Sequence, residues 1–260
     1  MRMTNVYSNV LKAGTLLACS LLAACGSKTE TTASTAPAAS EPAAAVASGP
    51  AFALITVPVD ATPPADYDVR IASLRAAPGI ANVLVLQTQP NSEPPGFKSL
   101  AVVEFKDEAS LETWLSGDGA REQSGVKVRR ADVLAHDASD NAASTAANSY
   151  YVVNHYEALI SPAEYKTYTE KYVVPNMAHQ KSTGAMLGYT MYIEREPASV
   201  KPNAVLVKQY VSPEEHVRAE AAKDVFKRDV LMKQAEWKQI NDTKATMRND
   251  LTETLAVPLS

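Results

Sequence analysis

The feature that most restricts what this chain can fold into is an order of elements that occurs twice. Between residues 51 and 136, Phe52–Val59 reads as a strand and Pro63–Ala76 as a helix, with Tyr67, Ile71 and Leu74 at i, i+4 and i+7. Pro78-Gly79 breaks that helix, and Ile80–Thr88 and Leu100–Phe105 are strands rich in β-branched residues. Asp107–Leu115 is a second helix, and Val126–Leu134 closes the series as a strand. Between 149 and 260 the order returns. Tyr150–Ala158 is a strand, and Ser161-Pro162-Ala163-Glu164 is a capping box that opens a helix carrying Tyr165, Tyr168 and Tyr172. Pro175 is expected to bend or split this helix before Gly184 ends it. Met186–Glu194 and Ala204–Tyr210 follow as strands, Ser212-Pro213-Glu214-Glu215 caps a helical region reaching Lys244, and Leu251–Val257 is the last strand.

Strand-helix-strand-strand-helix-strand is the split βαβ order of ferredoxin-like domains. The expected class is therefore α+β with two such repeats, at 51–136 and 149–260. One mixed α+β domain with accidental internal likeness is the other reading. Two matching details favour duplication. Gly79 and Gly184 each precede the second strand, and Leu100–Phe105 and Ala204–Tyr210 each run into a helix with an acidic start. Residues 137–148 hold no large apolar side chain and read as a linker between the repeats.

The amino terminus reads differently. Arg2 and Lys12 precede a small, apolar stretch from Ala13 to Ala24, about half the length a spanning helix needs. The stretch ends in Leu22-Ala23-Ala24-Cys25-Gly26, which resembles the bacterial lipoprotein signal. That resemblance implies a signal peptide over 1–24 and a Cys25 carrying lipid, palmitate included, as the membrane anchor. An ordinary secretory peptide with an incidental cysteine is the alternative. Gly26 and Ser27, rather than an aspartate, follow Cys25, which by the same resemblance implies the outer membrane, facing the periplasm. Residues 25–50 then form a tether almost wholly of Ala, Ser, Thr and Pro, unable to bury enough surface to order itself. As a coil it would span roughly 25–30 Å.

The repeats also resemble the dimeric α/β-barrel superfamily, with its EthD-like and antibiotic-biosynthesis-monooxygenase-like members. The residues that carry this are Ala77-Pro78-Gly79-Ile80 and Leu100–Asp107 in the first repeat, with Tyr172-Val173-Val174-Pro175 and Ala185–Tyr192 in the second. The resemblance implies two ferredoxin-like sheets packed face to face, here within one chain. It also implies enzymes that work in a pocket between a sheet and its helices, some with haem and some without any cofactor.

Direct signs of chemistry are few. A net charge of −4 gives no basic footprint for nucleic acid. If Cys25 is acylated no thiol remains for catalysis or a thiolate metal site, and the four histidines show no metal-ligand spacing, so no metal is expected. There is no P-loop, G-x-S-x-G or G-x-G-x-x-G. His155 lies mid-strand with Glu157 on the same face, a pair able to act as a general base or, for His155, a haem ligand. A hydrogen-bonded imidazole on a half-buried sheet is the plainer reading. His179 near a helix end and His216 in a first helical turn are expected to be solvated or mildly favourable charges. Tyr189, Tyr192 and Trp237 suit either a pocket for a flat ligand or the core itself. The candidate ligand-pocket residues are thus His155, Glu157, Tyr189, Tyr192 and Trp237.

Three functions follow. The leading expectation is a non-catalytic envelope lipoprotein binding a small hydrophobic or aromatic ligand, or an envelope protein partner, with no cofactor. The first alternative is an oxygenase-like enzyme, haem-dependent or cofactor-free; the second is a structural or assembly factor.

Overall fold

A computed structural model describes residues 49–92, 94–117, 125–139, 148–195 and 201–259. The proposed signal, Cys25 and most of the tether lie outside these residues, as does the middle of the stretch read as a linker.

The first repeat contains β1 (Ala51–Val57), α1 (Tyr67–Leu74), β2 (Ile80–Thr88), β3 (Ser99–Phe105), α2 (Glu108–Ser116) and β4 (Lys127–Ala138). The second contains β5 (Tyr150–Ala158), α3 (Pro162–Tyr168), a π-helical turn (Thr169–Val173), α4 (Val174–Ser182), β6 (Met186–Glu194) and β7 (Asn203–Tyr210). It continues with α5 (Pro213–Asp229), a 3-10 turn (Leu231–Lys233), α6 (Ala235–Met247) and β8 (Arg248–Pro258).

The strands form one closed barrel in the order β1-β3-β2-β8-β5-β7-β6-β4, all neighbours antiparallel. Each repeat contributes four adjacent strands, and the two sets meet at two seams. The β4–β6 seam runs from Ala131↔Glu194 to Ala138↔Gly188, whereas the β2–β8 ladder pairs Leu86–Thr88, with one flanking backbone bond at each end.

Because each sheet has helices outside and the other sheet inside, many strand positions are buried on both faces, hence runs such as Ala53–Ile55 and Ala204–Val207. Alternation sorts them into three cores. Ala53, Ile55, Val103 and Phe105 pack under α1 and α2. Val152, Tyr156, Leu206 and Tyr210 pack under the helices of the second repeat. Leu54, Leu100, Tyr151, Val153, Tyr192 and Val205 fill the barrel. Gly79 (φ +83°) and Gly184 (φ +75°) make the left-handed turns that lead into β2 and β6.

Several elements depart from the sequence reading. Helix α1 starts at Tyr67 rather than Pro63, since Pro63-Pro64 and the following turn precede it and Asp66 supplies no side-chain cap. The helix after Ser161 is split near Pro175, as the sequence reading expects. The proline sits in the first turn of α4, and the preceding turn widens into a π-helix, which accommodates its missing N–H and the crowding toward Lys171. The Ser161–Glu164 box forms as expected. Ser212 caps α5 by accepting from the Glu215 amide, but the Glu215 carboxylate turns to Arg218 instead of closing a box. The helical region after Ser212 is split at Val230. Strand β8 begins at Arg248, not Leu251, with a bulge between the pairs His155↔Thr252 and Tyr156↔Asp250. Strand β4 runs on to Ala138, carrying His136 into the barrel wall.

Candidate functional site

The longer helices of the second repeat leave a cleft of about 440 Å³ between them and the outer faces of β5, β7 and β8. Strand alternation supplies its floor: Asn154 and Tyr156 from β5, Leu206 and Lys208 from β7, Arg248, Asp250 and Glu253 from β8. The π-turn and α4 give Tyr172, Val173, Asn176 and Met177, while α5 and α6 add Lys223, Asp224, Lys227 and Lys244.

One wall is aromatic. Tyr168 stacks on Tyr172 (5.2 Å between centroids, 21° between planes) and Tyr172 on Trp237 (4.8 Å, 18°). Trp237 Nε1 donates to the Tyr172 carbonyl (3.3 Å), and the Tyr172 hydroxyl donates to Asn241 Oδ1 (3.1 Å). These bonds fix ring orientation as well as position. The Arg248 guanidinium lies 3.7 Å from the Tyr156 ring centroid and 2.9 Å from an Asp250 oxygen.

The opposite wall is a connected polar network. The Tyr210 hydroxyl donates to Gln180 Oε1 (2.7 Å), and Gln180 Nε2 donates to Glu220 Oε1 (3.2 Å). Glu220 pairs with Lys223 and lies 3.7 Å from Lys208 Nζ. Lys208, 4% exposed, is also 3.8 Å from Glu253, which accepts from Asn154 Nδ2 at 2.8 Å. Burial pulls the Lys208 ammonium below its ordinary pKa, against the opposing charges of Glu220 and Glu253. Burial would raise the Glu220 carboxyl, but Lys208 and Lys223 outweigh it and hold the group low. Asn154 Oδ1 and Asn176 Oδ1 are buried beside the cleft without a partner, two acceptors that a ligand donor could satisfy. The lining holds five cations against three carboxylates.

The residues singled out in the sequence fall in different places. His155 faces the barrel, not the cleft. The loop between β2 and β3 covers it: its ring meets Phe97 edge-on (5.7 Å), and its Nδ1 lies 3.5 Å from Thr252 Oγ1. Gly96 approaches so closely that a Cβ there would sit 3.1 Å from that nitrogen and 2.4 Å from Thr252 Oγ1. Burial lowers the His155 pKa to about 4, so the imidazole is neutral. Glu157 shares its strand face but accepts from Asn249 Nδ2 (2.6 Å) and lies 4.0 Å from Lys201. Tyr189 and Tyr192 line a separate cavity in the barrel. Trp237 backs the aromatic wall of the cleft. His216, expected in solvent, is half-buried against Tyr150 and Tyr210, and His179 stacks on Phe226 at 4.0 Å. Lys208, Arg248, Asn154 and Asn176 escaped the sequence reading. The one available signal was Lys208, the single charge in its strand, at a helix-facing position between Leu206 and Tyr210.

A haem needs an axial ligand and a broad apolar slot. The described lining of the cleft offers neither histidine nor cysteine, and its rim is crowded with lysines. The residues present do not fit that group. No group of three His, Cys, Asp or Glu among the described residues is placed to hold a metal ion.

No family model matches the sequence, and no curated protein matches it. Solved structures do. A protein described as anthrone oxidase-like superposes with a TM-score of 0.53 at 10% identity, over 82% of this chain and 92% of its own. A monooxygenase candidate from Fusobacterium nucleatum gives 0.49 at 12%, over 82% and 94%. A dye-decolorizing peroxidase from Bacteroides thetaiotaomicron gives 0.46 at 10%, over 83% and 94%. The leading expectation of a non-catalytic binding protein is thereby corrected in favour of the enzyme alternative, since the solved structure that superposes at 0.53 is described as anthrone oxidase-like. The chain itself has the α+β fold of the dimeric α/β barrels, built from two ferredoxin-like repeats in a single polypeptide.

Proposed function

We propose that the chain is a cofactor-independent oxygenase that acts in the cleft of the second repeat on an acidic aromatic compound, one that forms an enolate or phenolate. The observation that carries this reading is a buried lysine, Lys208, with Arg248 on one floor beneath a wall of stacked aromatic rings. Such a substrate reacts with O2 once it is an anion, so the protein's task is to remove a proton and to hold the charge. Tyr172 and Met177 grip the rings. Lys208 Nζ, within 4 Å of Glu220 and Glu253 and with burial working against its charged form, takes the proton. Arg248 and the lysines at the rim stabilise the anion. For a methylene flanked by aromatic rings, the balance is R2CH2 + O2 → R2C=O + H2O. The description of one solved relative as anthrone oxidase-like suggests the first substrate to try.

The test is O2 uptake by the full chain with anthrone as substrate, followed with an electrode and by product absorbance. Uptake well above the spontaneous rate, without added metal or haem, is the expected outcome. A rate equal to the spontaneous one for anthrone and a panel of phenols would remove the proposal. The reading places the enzyme on the periplasmic side of the outer membrane, tethered by lipid on Cys25. Labelled palmitate incorporation that disappears in Cys25→Ser supports this placement.

A further inference from the structure

The barrel itself holds a second cavity, of about 840 Å³ and open to solvent at one side, on the sheet face away from the helices. Its wall includes a row of register partners across four strands: Asn82 of β2, Glu104 of β3, Phe52 of β1 and Ala131 of β4. Partners of this kind stand side by side, with Cβ atoms about 4.5–5.5 Å apart. Glu104 therefore lies directly beside the Phe52 ring. The Tyr192 ring of β6 packs against Phe52 at 5.6 Å and 60°, and Tyr151 reaches the same space from β5. Leu84, Val102, Val133 and Val207 complete an apolar wall.

Glu104 is the anomaly. It is only partly exposed and faces this aromatic and aliphatic surface, and no cation or hydrogen-bond donor among the described residues pairs with it. Its charge is felt by Tyr192, whose phenol is held above its ordinary pKa by burial first and then by Glu104. Arg195, the one lysine or arginine in the described lining, is engaged by Glu108 (2.6 Å) and Asp132 (2.6 Å). The lining thus carries three carboxylates against one guanidinium, the reverse of the balance in the cleft.

A carboxylate against aromatic faces is the arrangement that recognises an ammonium group by charge and by ring quadrupole together. We infer that the barrel cavity binds an organic cation with an apolar body, its ammonium group held between Glu104 and the rings of Phe52 and Tyr192. This site is separate from the cleft, and its existence does not depend on the reaction proposed there.

Titration calorimetry on the full chain with benzyltrimethylammonium, and with its neutral carbon counterpart neopentylbenzene, tests the inference. The cation is expected to bind saturably and at least about tenfold more tightly than the neutral compound. Glu104→Gln keeps the shape and removes the charge. It is expected to weaken the cation about tenfold, leave the neutral compound within about twofold, and leave O2 uptake unchanged. Phe52→Leu provides a second variant, expected to weaken the cation more than the neutral compound. Equal affinity for the two compounds, no response to either substitution, or no saturable binding of the cation would overturn the inference.

Discussion

The two repeats share a strand order but not the contents of the layer beneath their helices. Under α1 and α2, Ile55, Val103, Phe105 and Leu111 meet Ile71 and Leu74 in a dry contact of short helices on a sheet. Under the helices of the second repeat, the same topological space holds a polar network, an aromatic stack and a cleft. The difference comes from chain length and residue type together. Helix α5 spans 17 residues and α6 13, against 8 and 9 for α1 and α2, and their weight rests on tyrosines rather than aliphatics. One fold thus carries one layer that only stabilises and one that is furnished for chemistry.

The largest expected effect falls on the furnished layer. Lys208→Met should lower O2 uptake by about 10²–10⁴-fold if Nζ moves the proton. Thermal unfolding should still be cooperative, because methionine fills the volume and Glu220 retains Lys223. A rate within threefold of the parent would assign the proton transfer elsewhere. Phe105→Ala probes the other layer. Phe105 is fully buried, so the change should cost about 3–5 kcal/mol in urea denaturation while leaving the KM of the cleft unmoved. A shifted KM would mean that the layers are coupled through the barrel.

How much of this was legible in the sequence depends on the kind of contact involved. Strand periodicity marked the repeats, and Gly79 and Gly184 marked the turns, because these are local. The face of His155 was legible from alternation, but its cover was not, since that cover is a loop whose Gly96 approaches from 59 positions earlier in the chain. The cleft was hidden for the same reason. Arg248 fell between the helical region read to Lys244 and the strand read from Leu251, and the strand's early start, with its bulge at Leu251, sets it on the sheet beside Tyr156. Glu220 of α5 likewise takes one of its two lysine partners, Lys208, from a distant strand.

Two smaller effects sharpen the comparison on single strands. His155 points to the barrel and is neutral when folded, with a pKa of about 4 against 6.5 for the free side chain. Below pH 6.5 the unfolded chain takes up a proton that the folded one refuses. Stability should therefore fall between about pH 6.5 and 4, by up to about 3 kcal/mol, and level off below. Chemical denaturation across that range, compared with His155→Gln, checks it: the variant should lose this part of the slope. Tyr210→Phe, on the helix side, removes the hydroxyl bound to Gln180 and should cost about 1–2 kcal/mol by the same measurement. No loss would mean that a water donates to the Gln180 oxygen in place of the Tyr210 hydroxyl.

The unequal seams have a consequence for traffic. Three ladder pairs at Leu86–Thr88, flanked by backbone bonds from Gln89 to Leu255 and from Leu259 to Val85, stitch β2 to β8, and Asn82, Val83 and Leu84, just upstream in β2, border the barrel cavity. Brief fraying at this short suture exposes the interior at far less cost than parting β4 from β6, so the wall that guards the chamber can also act as its door.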